Sequence, residues 1–501
     1  MDWSELKKGM MFSNRLSARA RELLALSRVL DGTLYDHIPH PFFKSCGADG
    51  SYIPINRRRP SVRTHLCNVV VEDSTSLLFN ASHWPLVTAR FDDGSDDPVR
   101  EQKLHSIIFD SGIPSLMEQA AIIGSVGSVA ILVQVIDNEL AIEIKRTCYL
   151  EPTFSISEPS RLVMVREQYV VDADSLNRSN IGYFEPGNYW FIRDFTEKET
   201  IWYQPVPVTD GFPGEENLIR DQDRSTTHSL GVTPIIWIKN LPAIDPTAPD
   251  GKSTFSAGID AMIDADYLLS QTVRGLRYSA DPTMVLSGDE YQMSGGISAS
   301  LPKDPSYAIS VPAGGDAKLL EINGTGATAS LSMWEALRSL ALEAMHGNRA
   351  QGDRVSAAQS GRAMELMCLG LTWLTGRLRR SYGESGLLSL LRLICKITES
   401  IPDVKISGKS YGPINSKNLS LIWPPWFEPT FGDMQTMAHA VQAARTANAV
   451  SMDTAVKMMR PATRVPHIHE EREKIMSDLA EHDQRLKALK AAVEDRDTSE
   501  I

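Results

Sequence analysis

Several kinds of chemistry are missing from this sequence. Its five cysteines, Cys46, Cys67, Cys148, Cys368 and Cys395, form no CxxC pair and do not cluster with histidines. That leaves no metal-ligand spacing, and thiols kept in a reducing cytoplasm are the simpler account. Long apolar runs are absent too. The most lipid-like stretch, Ile122 to Ile136, is fifteen residues long and holds Gly124, Ser125, Gly127, Ser128 and Gln134, too short and too polar to span a bilayer. Met1-Asp2-Trp3-Ser4-Glu5-Leu6-Lys7-Lys8 lacks the apolar core of a secretory signal. No membrane role is expected.

Nucleotide chemistry is equally hard to find. Gly251-Lys252-Ser253 and Gly408-Lys409-Ser410 each carry the end of a phosphate-binding loop, but Pro246 and Asp403 stand where its first glycine belongs. There is no GxSxG elbow, HExxH helix, EF-hand loop or dinucleotide fingerprint. His467-Ile468-His469-Glu470-Glu471 is the best metal-like cluster, yet it has no third ligand, and ordinary polar residues explain it as well. Neither a metal nor a cofactor is expected, and no catalytic residue stands out.

What is present is a large globular chain. At 501 residues it can bury a sizeable core and should divide into two or more regions; 42% hydrophobic and 23% charged residues argue against wholesale disorder. The net charge of −12 speaks against coating nucleic acid by phosphate neutralisation, although an acidic chain can still handle DNA that must slide. Arg57-Arg58-Arg59 with Arg63 is the densest basic run, readable as a contact for phosphate or as a solvated turn paired with acids. Asp260, Asp264 and Asp266 fall on a predicted helix, where a solvated or ion-paired face is the default.

In order, the pattern predicts helices over Arg15–Leu30, Arg63–Asn80 and Lys103–Gly124, then a hairpin of Ser125–Val135 with Leu140–Ile144 around Asp137-Asn138. Strands follow at Leu162–Val165, Tyr189–Ile192, Thr200–Tyr203 and Pro234–Ile238, a mixed or antiparallel sheet with helices around it. Helix returns from Ile259 to Tyr278; short strands at Met284–Leu286, Tyr307–Val311 and Lys318–Ile322 come next. Beyond Glu399, one or two strands up to Leu421-Ile422-Trp423 precede helical segments at Met434–Ala449, Asp453–Met459 and Glu470–Val493. That last helix is either a solvated cap or one partner in a helical assembly, and disorder is expected after Glu494.

The stretch Ser330 to Thr398 organises the rest. Leu331, Trp334, Leu337, Leu340, Leu342 and Met345 recur at helical steps, with Ser330 or Ser332 as the expected cap and Gly347 as the stop. The residues to Gly361 are small, polar and charged, with little to bury. From Arg362 the apolar positions return and run to Ile397 on so many sides that other protein must cover them. A loop that cannot pack, between helices that must, faces a solvent space, a partner or simply the surface.

Four passages resemble the portal proteins of tailed bacteriophages. They are Ala120-Ala121-Ile122-Ile123-Gly124-Ser125 running into a strand and then Tyr149-Leu150-Glu151-Pro152; Ser256-Ala257-Gly258-Ile259-Asp260 leading to Ser279-Ala280-Asp281-Pro282-Thr283; Ala358-Gln359-Ser360-Gly361-Arg362-Ala363-Met364; and Trp423-Pro424-Pro425-Trp426-Phe427. Their order carries the likeness. The resemblance implies an α+β portal-like fold: a mixed wing at 1–252 with strands at 400–424, stem helices at 253–280 and 327–346, and a small β-rich clip at 281–326. It further implies a tunnel loop at 347–361, a kinked long helix at 362–399, and a helical crown and tail at 425–501. The loop residues Asn348, Arg349, Gln351, Asp353, Arg354, Ser356 and Gln359, with Arg362, would face DNA.

The implied function is a non-enzymatic ring of about twelve subunits at one capsid vertex of the virion, passing double-stranded DNA without reading its sequence. Terminase large subunit, a head-completion or adaptor protein, and the major capsid and scaffolding proteins would be its partners. The short crown departs from portals with a long C-terminal barrel. Two other classes stay open: a nuclease or terminase-like ATPase, and a structural scaffold unrelated to DNA.

Overall fold

The structure, a computed structural model, describes residues 2–280 except 14, 180, 210 and 211, then 283–287, 316–320, 325–347, 368–426, 431–463, 471, 473–482, 484 and 485. It is a mixed α+β chain in two compact units, residues 1–71 with 254–349, and residues 72–253 with 350–501. The boundary falls inside the helix Leu66–Phe79.

The first unit holds two long helices, Ile259–Ala280 and Thr325–Ala344, that run antiparallel side by side. A two-stranded antiparallel ladder, Thr283–Ser287 with Asp316–Leu320, pairs Thr283 with Leu320 between them. The second helix begins at Thr325, ahead of the two serines expected to cap it; Ser330 is interior, and its Oγ donates back to the Gly326 carbonyl at 2.9 Å. Its stop is a two-bond cap in which the Gly347 amide reaches the Leu342 carbonyl at 2.8 Å and the His346 amide the Glu343 carbonyl at 3.2 Å. The left-handed position belongs to His346, with φ 56°, so the glycine stands one residue beyond it.

Among the described residues the second unit has a two-stranded sheet, Leu86–Ala89 with Leu419–Ile422, and two larger ones. One orders the strands Arg220–Thr227, Glu199–Tyr203, Asn188–Thr196, Leu162–Asp172 and Leu150–Phe154, with Val206–Pro207 also on Asn188–Thr196. The other orders Ile235–Lys239, Ser128–Ile136, Glu139–Lys145, Lys405–Ile406 and Lys409–Ser410. The expected hairpin is present, and Asp137 and Asn138, at φ 50° and 63°, make its two-residue turn, a twist that matches the strands it joins. Gly408-Lys409-Ser410 is also hairpin, with Ser407 and Gly408 left-handed at the turn.

The helix expected over Lys103–Gly124 is two helices, Pro98–Asp110 and Ile113–Gly124. Gly112 breaks it at φ 64°, a conformation that costs glycine nothing and other residues dearly. The long C-terminal helix spans Leu369–Ser400 and widens to i→i+5 winding over Arg379–Leu387. There the backbone comes close to its neighbours: a Cβ on Gly386 would lie 2.8 Å from Ile238 Cδ1. Tyr382, fully buried in the same segment, donates to Asn240 Oδ1 at 3.0 Å, and Asn240 Nδ2 donates to the Lys252 carbonyl at 2.9 Å.

Tyr382→Phe takes from buried Asn240 a hydroxyl it accepts. The expected cost is about 1–3 kcal/mol, read as a lower urea midpoint with an unchanged slope.

Candidate assembly surface

The first long helix is pinned to the N-terminal chain by side chains that its own sequence places on one face. Asp266, 1% exposed, accepts from Tyr35 Oη at 2.9 Å, from the Thr64 amide at 2.8 Å and from Thr64 Oγ1 at 2.7 Å. One turn on, Ser270 Oγ accepts from the amides of Ser61 and Val62, both at 3.0 Å. Tyr267 donates to the Arg58 carbonyl at 3.0 Å and packs edge-on against Tyr35. Burial lifts the Asp266 carboxyl above its ordinary value, opposed by the hydrogen bonds from Thr64 and Tyr35.

This corrects the expectation for the acidic group. Only Asp260 and Asp264 are exposed, and Asp260 Oδ1 accepts from the Trp3 amide at 2.7 Å. The basic run is resolved by residue as well. Arg58 is fully buried, gives Nε to the Ile53 carbonyl at 2.8 Å and stacks on Tyr52 at 4.9 Å. Arg63 pairs with Asp36 at 2.9 Å and also donates to the Gly32 carbonyl. Neither offers its charge to a phosphate.

The second long helix has two apolar faces. One is covered within the unit: Ala341, Leu342 and, just beyond the helix, Met345 are buried, with Trp334 and Leu337 half-buried along the same side. The other carries Ala329, Met333, Ala336, Leu340 and Ala344, at steps of four, three, four and four, and every one is exposed. Met333 is 53% and Leu340 57% accessible. This is the spacing of a seam between packed helices, small residues alternating with large ones. Leu276 and Tyr278, at the end of the first long helix, are also exposed.

The residues expected to face DNA, Asn348, Arg349, Gln351, Asp353, Arg354, Ser356, Gln359 and Arg362, lie outside the described residues, as do His467 to Glu470, the strand expected at Tyr307–Val311 and the tail after Glu494. Among the described residues no group of three or more His, Cys, Asp or Glu could hold a metal ion, and no helix is long and apolar enough to cross a membrane. The exposed seam was open to sequence reasoning, because Met333 and Leu340 sit seven apart; reading all the apolar residues as one broad face concealed it. No family model and no curated protein matches this chain.

A buried carboxyl raised above its ordinary 3.8 binds its proton more tightly in the folded chain than in the unfolded one. Its contribution to stability is therefore full at pH values below 3.8 and declines as pH climbs through the raised value. Asp266→Asn keeps an acceptor oxygen for the two Thr64 donors, turns an NH2 to the Tyr35 hydroxyl, which can accept it, and removes the titration. Its unfolding free energy should gain on the parent's between pH 4 and 7; a loss over that range would mean that the three donors outweigh burial.

Proposed function

We propose that this chain is a subunit of a ring-shaped conduit of the bacteriophage portal type, through which double-stranded DNA enters and leaves a capsid. The observation that carries the reading is the exposed seam Ala329, Met333, Ala336, Leu340 and Ala344 on the second long helix. A single chain leaves that face to water, and a large apolar side chain gains about 1.5–3 kcal/mol on full burial. A second helix covers it best, and a neighbouring copy of the chain supplies one. Contact between two different faces of identical subunits closes into a ring when the rotation allows it.

Further support comes from the order of elements: long helix, short ladder, long helix, the polar stretch 348–361, then long helix again. In a ring, that polar stretch would line the bore as the tunnel loop. Arg349, Arg354 and Arg362 beside Asp353, in a chain of net charge −12, would touch passing phosphates weakly, which favours sliding over capture. The ladder end of the helix pair would be the clip that docks the terminase motor and later the adaptor protein. The mixed sheets would form the wing that meets capsid and scaffold. On this reading the protein performs no catalysis and resides at the portal vertex of the virion.

Native mass measurement of the full chain should give a ring of about twelve copies. Replacing Met333 and Leu340 together by glutamate, a good helix former, should reduce it to monomers whose urea midpoint matches that of the parent's dissociated subunit. A parent that stays monomeric, or a double variant that still forms rings, would sink the proposal. Deleting Asn348 to Ser360 should leave ring mass unchanged while impairing DNA packaging or retention; unaltered packaging and retention would remove the tunnel-loop assignment.

A further inference from the structure

The second unit contains a cleft of about 540 Å³ that the proposed assembly does not use, a volume within the range of small-molecule sites. One wall is the edge strand Ile235–Lys239, which presents Ile235, Ile236 and Trp237. Trp237 is half-buried, and its Nε1 donates to the Pro249 carbonyl at 2.7 Å, so the indole offers a fixed ring with its polar atom already engaged. Another wall is the long C-terminal helix. It sets Ser389, Arg392 and Lys396 on one stripe, at steps of three and four, with buried Leu393 beside them.

The donors on that helix select the ligand. Thr372, Thr375 and Thr398 of the same helix turn their hydroxyls back onto the carbonyls of Leu369, Leu371 and Cys395, at 2.9, 2.8 and 2.7 Å. The Ser389 hydroxyl does not: among the described residues it has no hydrogen-bond partner, and Arg392 and Lys396 have no ion pair. All three are within reach of a ligand, since Arg392 is exposed, and Ser389 Oγ and Lys396 Nζ keep accessible surface although their residues are half-buried. The other charges on the lining fix where an anion sits. Arg161 gives Nε and Nη2 to Glu197 Oε1, at 2.8 and 2.6 Å, and is neutralised. Glu384, exposed about two turns ahead of Arg392, repels an anion from its own end. The cleft is therefore cationic toward Lys396 and apolar along the strand.

We infer that this cleft binds a small phosphate monoester with an aromatic body. The body lies against Trp237 and Ile236, and the doubly charged head answers Arg392 and Lys396 and accepts from the Ser389 hydroxyl. Duplex DNA is a poor fit, since two unpaired cations beside Glu384 neutralise few phosphates. The site is independent of the ring proposal, because every residue invoked lies in the second unit.

1-Naphthyl phosphate carries two charges at pH 8, above a second phosphate pKa of about 6. Titrated calorimetrically into the full chain, it should bind saturably at one site. Inorganic phosphate, which lacks the ring, should compete about tenfold more weakly or worse, and a short DNA duplex should not displace the ester. Arg392→Gln, at an exposed position, and Lys396→Gln should each weaken the ester about tenfold, the equivalent of one charge-assisted hydrogen bond. Ser385→Trp, at an exposed position on the lining away from the head, should fill the cleft and abolish binding; Ser160→Trp, also exposed on the lining, serves the same purpose if the first variant does not fold. The proposal is overturned by the absence of saturable binding, by Arg392 and Lys396 variants that bind as the parent does, or by a filled cleft that binds as before. Inorganic phosphate competing as strongly as the ester, or DNA displacing it, would overturn it equally.

Discussion

A helix can hide one face against its own chain, and the second long helix has two to hide. Ala341, Leu342 and Met345 occupy one side and are buried; Met333 and Leu340 occupy the other and are not. A helix apolar on more than one side is stable in water only when something covers it. The proposed ring follows from that constraint more than from any motif, because an identical neighbour is the partner always available at equal concentration. Rigidity matters as much as the exposed seam. A seam on a mobile helix would dock poorly, and this helix packs along a first helix that Asp266, Tyr267 and Ser270 tie to the chain segments around Tyr35, Arg58 and Ser61 to Thr64.

The buried charges follow a common logic. Water-excluded ions are costly unless something answers them; the answers differ, and the arginines are met only in part, since Arg58 Nη1 and Arg379 Nε and Nη2 have no hydrogen-bond partner among the described residues. Asp266 collects three donors from Tyr35 and Thr64. Arg193 spends two nitrogens on Glu167, which Lys145 also approaches at 3.3 Å. Arg58 has a carbonyl and an aromatic face. Arg379 lies between Trp426 at 3.3 Å and Trp423 at 4.8 Å and donates to the Pro424 carbonyl; burial pulls its pKa down to about 10. Asp266 joins segments 231 residues apart in sequence, whereas Arg58 fastens its own loop to Ile53.

Much of the secondary structure was legible because its causes are local. The alternation of Leu140 to Ile144 after Asp137-Asn138 reports a hairpin through side-chain period and turn chemistry alone. Where the reading failed, the cause was also identifiable. Lys103 to Gly124 reads as one helix because apolar spacing continues across Gly112, and periodicity is blind to a single left-handed residue. Ser330 and Ser332 look like caps, but the helix had already begun at Thr325. The widened winding at Arg379–Leu387 leaves no mark in hydrophobic spacing, since it depends on how closely Gly386 approaches Ile238.

By itself the sequence determined the mixed α+β class, the absence of recognisable nucleotide and metal motifs, and the succession of helix, short strands and helix from Ile259 to Ala344. These rest on composition and on spacing within a few residues. Only the tertiary structure decided that Asp266 is buried while Asp260 and Asp264 are exposed, that Arg58 is interior, that Met333 and Leu340 are exposed, and that Tyr382 meets Asn240. Each of these depends on which distant segment arrives against a side chain. A helix period shows that residues share a face, but what that face meets is settled by contacts made across hundreds of residues.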